Sequence, residues 1–311
     1  MSKKYSIEVP LYSYSLNQLD RFNRLPDVAI RVFGGIPDSP LHGGRFNYTL
    51  DGQFLWDRFL FRMGRPQLDR VSDKFFRTVR MINAKGIPFH AVLTNLFVEA
   101  NDLQDSALKP IRKLAELGET YGVRNGVIIN NRVLEDRLRH DLGNRLAYFG
   151  SCTKYVAPDR ILTPRETMTM YRADCRQYDA VIFTPQDSRR ESLLKELALE
   201  SQQKIIVIAN TYCSNGCNCY DHYAYISRQN KISMLKMSDF KVLFEAGQFV
   251  LARLFNCGAV KHCFFPINIR KTVRMQLRAG IVHFKLGRGI GSGKLKELVE
   301  LIRCQETKSA L

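Results

Sequence analysis

Short apolar runs alternate with amphipathic helical patterns along almost the whole of this 311-residue chain. Each run is a predicted strand, and a stretch with apolar residues at helical spacing follows it. The predicted strands are Val28–Phe33, Pro88–Leu93, Val127–Ile129, Arg145–Phe149, Asp179–Phe183, Lys204–Ala209, Cys263–Phe265 and Ile281–Leu286. Eight such units favour an α/β fold with a single (β/α)8 TIM-type barrel. An open doubly wound sheet is the alternative, because spacing alone does not show closure.

The stretches between the runs predict helices with one apolar face. They cover Leu68–Lys85, Ser106–Tyr121, Val133–Leu142, Thr167–Gln177, Arg189–Glu200, Ser238–Phe255, Asn268–Arg278 and Lys294–Ile302. Thr163, Pro164 and Glu166 predict a helix start, with proline in the first turn and glutamate at the third position. No repeat, low-complexity segment or Pro/Gly-rich linker divides the chain. We therefore predict one domain over residues 1–311, with its core at about 28–302.

The chain is strongly basic, with 47 Lys and Arg against 30 Asp and Glu and a net charge of +17. Such a field attracts anions, so a nucleic acid or nucleotide is the expected partner, unless the charge serves solubility alone. No stretch approaches the ~20 apolar residues of a membrane span, and the first residues lack the apolar segment of a secretory signal. We therefore expect a cytoplasmic protein that makes no membrane contact. In that compartment the eight cysteines are metal ligands, catalytic groups or core residues rather than disulfides.

Three cysteines and a histidine crowd the segment after the run Lys204–Ala209. They are Cys213, Cys217, Cys219 and His222. The C-x3-C-x-C spacing is not that of common zinc fingers, whereas iron–sulfur clusters accept more varied spacing. An iron–sulfur cluster is therefore the predicted cofactor. Zinc is the alternative, because Cys217, Cys219 and His222 need only one more ligand to build a zinc site.

The other cysteines offer less specific signals. Cys175 and Cys304 fall on helical stretches and are predicted to be buried core residues. Cys152 follows a predicted strand, and either faces the same cavity as the cluster or belongs to the core.

Catalytic groups of (β/α)8 barrels lie at the carboxyl ends of the strands. Polar residues that follow predicted strands are therefore candidate site residues. We predict that Asn95, Asn130 and Asn210 line the pocket with hydrogen-bonding groups. Arg45, Lys285 and Arg288 are predicted to bind an anion.

Several motifs, in this order, make the chain similar to the collagenase-like peptidase superfamily from about Val28 to Leu301. The motifs are Gly34-Gly-Ile-Pro with His42-Gly-Gly-Arg45, Thr94-Asn95, Asp179 to Pro185, Asn210 with Cys213, Cys217 and His222, Phe264-Phe-Pro266, and Gly280 to Arg288. That group has barrel folds and includes RNA-base and ubiquinone hydroxylases that carry an iron–sulfur cluster. The resemblance implies a four-iron (4Fe-4S) cluster held by Cys213, Cys217 and Cys257. Cys219 or Cys263 is a possible further ligand.

The reaction that this resemblance implies is oxygen-independent hydroxylation of a nucleobase, nucleotide or similar ring. Under this hypothesis His222, Asn210 and Asn95 are catalytic, while Arg45, Asn130, Lys285 and Arg288 bind the substrate. One alternative is a zinc-dependent barrel enzyme acting on a similar substrate. Another is a non-catalytic basic nucleic-acid-binding protein with a structural metal. A homodimer or heterodimer that completes the pocket is left open. The sequence shows no His-Glu-x-x-His motif and no readable Ser-His-Asp arrangement, so peptidase activity has no positive support.

Overall fold

The structure is a computed structural model. It describes residues 3–11, 13–37, 39–43, 65–158, 160, 162–210, 220, 223–224, 227–228, 269–287 and 293–309. Its eight strands are β1 Tyr5–Pro10, β2 Val28–Gly34, β3 Phe89–Leu93, β4 Gly126–Ile129, β5 Ala147–Gly150, β6 Ala180–Ile182, β7 Ile205–Ile208 and β8 His283–Lys285. Each strand pairs in parallel with the next, and β8 pairs with β1, so the sheet closes. The predicted (β/α)8 barrel is therefore confirmed.

A helix follows every strand of this barrel. The helices are α1 Leu16–Asn23, α2 Arg65–Asn83, α3 Asp105–Thr120, α4 Arg132–Leu142, α5 Pro164–Gln177, α6 Glu191–Ser201, α7 Ile269–Arg278 and α8 Gly293–Ser309. The predicted start of α5 is confirmed: the Thr163 hydroxyl accepts from the Glu166 backbone N–H, and the Glu166 carboxylate accepts from that of Thr163. The predicted helix at Ser238–Phe255 lies outside the described residues.

The structure contains one strand that the sequence patterns did not predict. The first strand is Tyr5–Pro10 and not Val28–Phe33, so the barrel begins well before the predicted core boundary. The predicted strand Cys263–Phe265 lies outside the described residues.

The outward face of the barrel forms the main hydrophobic core. Alternate strand residues pack against the helices. One example is Phe89 of β3, whose ring centroid lies 5.5 Å from that of Phe75 of α2 in edge-to-face geometry. Each fully buried side chain of this kind contributes about 1.5–3 kcal/mol to folding, so this layer supplies most of the stability. No helix among the described residues has the length and apolar composition needed to cross a membrane.

The inward-facing residues divide the barrel lumen into two halves. One half, formed mainly by β4 to β7, is apolar and contains Ile128, Ala147, Phe149, Ala180, Ile182 and Ile206. The other half, formed by β8, β1, β2 and β3, contains Ser6, Glu8, Arg31, His90, His283 and Lys285. We call this second set the polar lumen cluster. Barrel lumens are usually filled by branched apolar side chains, so this cluster is the unusual feature of the fold.

Candidate active site

Glu8 of β1 is the centre of the polar lumen cluster. One carboxylate oxygen accepts a hydrogen bond from His90 Nδ1 of β3 at 3.0 Å. The other accepts from the Lys285 Nζ of β8 at 2.9 Å. The side chain of Glu8 is only 1% exposed. The register dictates this contact, because Glu8 and Lys285 are directly paired in neighbouring parallel strands.

The surroundings keep Glu8 charged and His90 neutral. Burial acts to raise the pKa of Glu8, but the charge of Lys285 and the hydrogen bond from His90 outweigh it and hold that pKa well below its usual range. Burial lowers the pKa of His90, and Arg31 and Lys285 add to this effect against the opposing charge of Glu8. A neutral His90 therefore donates its Nδ1 proton to Glu8. A carboxylate with so low a pKa is a poor proton acceptor, so Glu8 serves as the counter-ion that orients Lys285.

Lys285 carries this charge to the carboxyl ends of the strands, which we call the mouth. It is the last residue of β8, and its side chain is 12% exposed. Its Nζ also lies 3.3 Å from the centroid of the Phe33 ring, a cation–π contact. The ammonium group is thus held between a carboxylate and an aromatic face. Such a group can bind an anion or polarise a carbonyl oxygen.

Asn130 offers a hydrogen-bond acceptor at the same mouth. It follows β4, and its Nδ2 donates to the Thr94 carbonyl at 3.0 Å. A carbonyl can only accept, so this bond decides which end of the amide is the oxygen. The Asn130 Oδ1 is buried and has no hydrogen-bond partner among the described residues. An N–H or O–H donor of a bound molecule would satisfy it.

Asn210 joins the ends of β7 and β8. Its Oδ1 accepts from the Gly287 backbone N–H at 2.5 Å, and its Nδ2 donates to the Gly287 carbonyl at 3.3 Å. These bonds hold the chain just after Lys285. The structure therefore shows a positioning function for Asn210, while its predicted catalytic role remains a prediction.

Asn95 is buried and ties three segments together. Its Nδ2 donates to the carbonyls of Pro40 at 2.9 Å and Ser227 at 3.1 Å, while its Oδ1 accepts from the Phe97 backbone N–H at 2.9 Å. Both amide protons are thus engaged by backbone groups. These three bonds hold Pro40, Phe97 and Ser227 together, and we call them the Asn95 latch. The predicted catalytic role of Asn95 remains a prediction.

We expect Asn95→Ala to weaken this latch. The change leaves two buried carbonyls and one N–H without their partner, which costs about 2–3 kcal/mol at roughly 1 kcal/mol for each hydrogen bond. Chemical unfolding would measure this loss, and limited proteolysis would show faster cleavage near Ser227. Asn131→Ala is not a matched control, since Asn131 caps α4. Thr78→Ala is suitable, because Thr78 makes only an exposed bond within α2. Unchanged proteolysis near Ser227 would contradict the latch.

Residues that follow the cysteine-rich segment also contact the mouth. The Ser227 hydroxyl accepts from the Leu96 backbone N–H at 3.1 Å, next to the Asn95 latch. The Tyr223 hydroxyl lies 3.6 Å from the Sγ of Cys152, which follows β5 and packs against the apolar half of the lumen. Tyr223 and Ser227 therefore lie beside the ends of β5 and β3.

The sequence-predicted ligands lie outside the described residues. These are Cys213, Cys217 and Cys257, with Cys219 and Cys263 as possible additions; His222, Arg45 and Arg288 lie outside as well. Within the described ranges, no group of three or more His, Cys, Asp and Glu side chains could hold a metal ion. Cys175 is buried as predicted, whereas Cys304 is exposed on α8, so the prediction of a buried Cys304 is wrong.

The loop after β2 shows why two of its glycines are required. The His42 ring is fully buried and bonds the Val92 carbonyl through Nδ1 at 2.9 Å. A Cβ on Gly35 would lie 2.3 Å from that ring, and a Cβ on Gly43 would lie 1.9 Å from the Thr94 carbonyl oxygen. Gly35 and Gly43, which belong to the Gly-Gly and His-Gly-Gly motifs, therefore allow close packing beside the mouth.

Glu8, Arg31 and His90 were not among the predicted site residues. A usable signal existed, because each is a charged or titratable residue inside an otherwise apolar alternation. Such a residue in a strand that is buried on both faces requires a partner in the lumen.

No family model matches the chain, and no curated protein matches it. Among solved structures, the U32 peptidase Mk0906 aligns with a TM-score of 0.47 and 10% identity, over 93% of this chain and 95% of that chain. The δ-aminolevulinic acid dehydratase (porphobilinogen synthase) of Toxoplasma gondii ME49, solved with its product porphobilinogen, aligns with a TM-score of 0.39 and 11% identity. That alignment covers 92% of this chain and 83% of the dehydratase. These values are too low to carry a conclusion about activity, substrate or metal.

Proposed function

We propose that this protein is an enzyme that binds an anionic ring substrate, such as a nucleobase or nucleotide, at the mouth of its barrel. The observation that carries this proposal is the position of Lys285. It is a cation at the carboxyl end of β8, held by the buried carboxylate of Glu8 and by the face of Phe33.

The energetic cost of burying Glu8 and Lys285 favours a functional role for this ion pair over a purely structural one. Burying two charges costs solvation energy, and apolar side chains of similar volume are often as stable or more stable in their place. The opposite half of the lumen shows that this barrel packs well with Ile, Ala and Phe. Titratable groups kept at such a cost are found preferentially at active sites.

The mouth offers groups that suit a ring with both charge and N–H donors. Lys285 supplies positive charge, and the Asn130 Oδ1 supplies an acceptor without a described partner. The apolar half of the lumen, with Ile128 and Phe149, suits the faces of a planar ring. The net charge of +17 favours approach of an anion.

We further propose that Cys213, Cys217 and Cys257 hold an iron–sulfur cluster of the 4Fe-4S type near this mouth. Cys213 and Cys217 lie in the connection between Asn210 and Tyr223, two residues that contact the ends of the strands. When bound, such a cluster would supply redox chemistry, which suits oxygen-independent hydroxylation. In this proposal Lys285 and Asn130 orient the substrate, and Asn210 holds the end of β8 in place.

Metal analysis of anaerobically purified protein tests this proposal. We expect iron and sulfide near the stoichiometry of a four-iron cluster in the wild type, and their loss in Cys213→Ser. Cys304→Ser is the matched control, because Cys304 is an exposed thiol on α8. Lys285→Met should keep the metal but lose binding of mononucleotides, which separates the two parts of the proposal.

Each other outcome has a defined meaning. Zinc in place of iron and sulfide would support the zinc-dependent alternative. Absence of all three after anaerobic reconstitution would overturn the metal proposal. Mononucleotide binding that is equal in the wild type and in Lys285→Met would overturn the proposed role of Lys285.

A further inference from the structure

Arg31 is the second cation of the polar lumen cluster. It lies on β2, on the same face as Phe33, and it is half-buried. Its register partner on β1 is Glu8, which in turn is paired with Lys285 on β8. Arg31 and Lys285 therefore flank one carboxylate from the two strands beside β1.

Glu8 does not serve both cations. Its two oxygens bond Lys285 at 2.9 Å and His90 at 3.0 Å. Arg31 makes no hydrogen bond and no ion pair with any residue that the structure describes. The set of Lys285, Arg31 and Glu8 therefore carries one positive charge in excess. A half-buried cation without a counter-charge is unfavourable, so this position favours an anion.

Arg31 precedes by two residues Phe33, whose ring contacts the Lys285 ammonium group, so Arg31 lies nearer the amino ends of the strands than Lys285 does. His283 begins β8, and its ring bonds the Ser6 hydroxyl at 2.7 Å and the Gln203 side-chain oxygen at 3.2 Å. Burial and then the charge of Arg31 lower the pKa of His283 to about 4, against the opposing charge of Glu8. Arg31 also lowers the pKa of His90, the second residue of β3. Its charge therefore acts on residues of the amino-terminal half of the lumen.

We propose that Arg31 forms a binding site for a small oxyanion, such as phosphate or a carboxylate, in the amino-terminal half of the barrel lumen. The guanidinium group would bind two oxygens of the anion at once, a geometry that favours carboxylates and phosphates. This site is separate from the substrate site at the mouth and does not depend on a metal.

Calorimetric titration with inorganic phosphate at constant ionic strength tests the proposal. We expect one phosphate to bind to the wild type, and Arg31→Met to weaken that binding at least tenfold, since a charge-assisted hydrogen bond is lost. Arg77→Met is the matched control, because Arg77 is an exposed arginine on α2 without a described ion pair. Lys285→Met should weaken phosphate binding less than Arg31→Met does, because the guanidinium group that binds the anion remains. If Lys285→Met and not Arg31→Met abolishes it, the anion binds at the mouth and the proposal fails.

A second measurement on the wild type does not depend on how well the variant folds. Among the described groups, Arg31 lowers the pKa of His283, while Glu8 and the hydrogen bond with Gln203 raise it. An anion bound to Arg31 offsets the positive charge that lowers the pKa of His283, so phosphate should raise that pKa in an NMR titration. Arg31→Met should raise it without phosphate. A pKa of His283 that is unchanged by saturating phosphate would overturn the proposal.

Discussion

Replacing Glu8 by glutamine is expected to lower the free energy of unfolding by about 3 kcal/mol, the scale for breaking a buried ion pair. Both oxygens of Glu8 accept hydrogen bonds, one from His90 and one from Lys285. Glutamine has the same shape but only one acceptor oxygen, so its NH2 group must face either the His90 N–H or the Lys285 ammonium group, which are both donors. The change also leaves Lys285 and Arg31 without any negative charge in the lumen cluster. Urea unfolding of both proteins at neutral pH would measure the loss.

The double variant Glu8→Gln/Lys285→Met is the control for this explanation. When the ammonium group is absent, the glutamine amide can turn its oxygen to His90 and its NH2 group away. The double variant should therefore lose less stability than the sum of the two single variants, with a coupling of about 1 kcal/mol or more. Strict additivity, or a cost for Glu8→Gln alone below about 1 kcal/mol, would contradict the ion-pair account.

The charge of Glu8 also makes the stability difference between the wild type and Glu8→Gln depend on pH. The folded protein holds the pKa of Glu8 below its unfolded value, which is about 4.3. The charged form of Glu8 therefore stabilises the fold fully above that pH. As the pH falls below it, the unfolded chain takes up a proton that the folded chain does not, and this stabilisation is lost. The stability difference between wild type and Glu8→Gln should be constant from about pH 6 to 8 and shrink below about pH 4.

Gly43→Ala is expected to cost about 3 kcal/mol, at the upper end of the range for overpacked sites. An alanine Cβ would lie 1.9 Å from the Thr94 carbonyl oxygen, 2.0 Å from its carbon and 2.4 Å from the Asn95 nitrogen. All three are backbone atoms at the end of β3, so no rotation of a side chain relieves the contact. The loop or the strand end must move, which also strains the bond from the Asn95 N–H to the Leu41 carbonyl.

Gly293→Ala is the matched control, with the opposite expected sign. Gly293 begins α8, and a Cβ there would meet no atom within 4 Å. Alanine is the better helix former, so stability should rise by about 0.5 kcal/mol. Urea unfolding of the two variants would show the contrast. A Gly43→Ala protein within about 1 kcal/mol of the wild type would show that the loop after β2 packs less tightly on β3 than described.

Most of the fold could be predicted from residue patterns. The seven barrel strands from Val28 onward were predicted within a few residues, because their runs of Val, Ile and Phe are buried on both faces. The strand Tyr5–Pro10 was missed. Its alternation of Tyr, Ile and Val with Ser6 and Glu8 is the pattern of a strand with one solvent-exposed face. In the structure those polar residues face the lumen instead, where Lys285 and His283 are their partners.

The candidate site could be predicted only in part. Lys285, Asn130 and Asn210 were expected at strand ends, and the structure places all three there. Asn95 was expected to contact substrate, but its amide is engaged by the backbone at Pro40, Phe97 and Ser227. These partners lie up to 132 residues away along the chain, so local patterns do not reveal them.

Residue patterns were enough to predict the architecture, because strand and helix periodicity and the burial of apolar faces are local properties repeated along the chain. The excess of positive charge and the unusual cysteine spacing after β7 are likewise read from the sequence. Which charges come into contact depends on the folding of distant segments. Glu8 and Lys285 are 277 residues apart and become neighbours because β8 closes the barrel against β1. Their ionisation follows from that closure, since burial and distance control it.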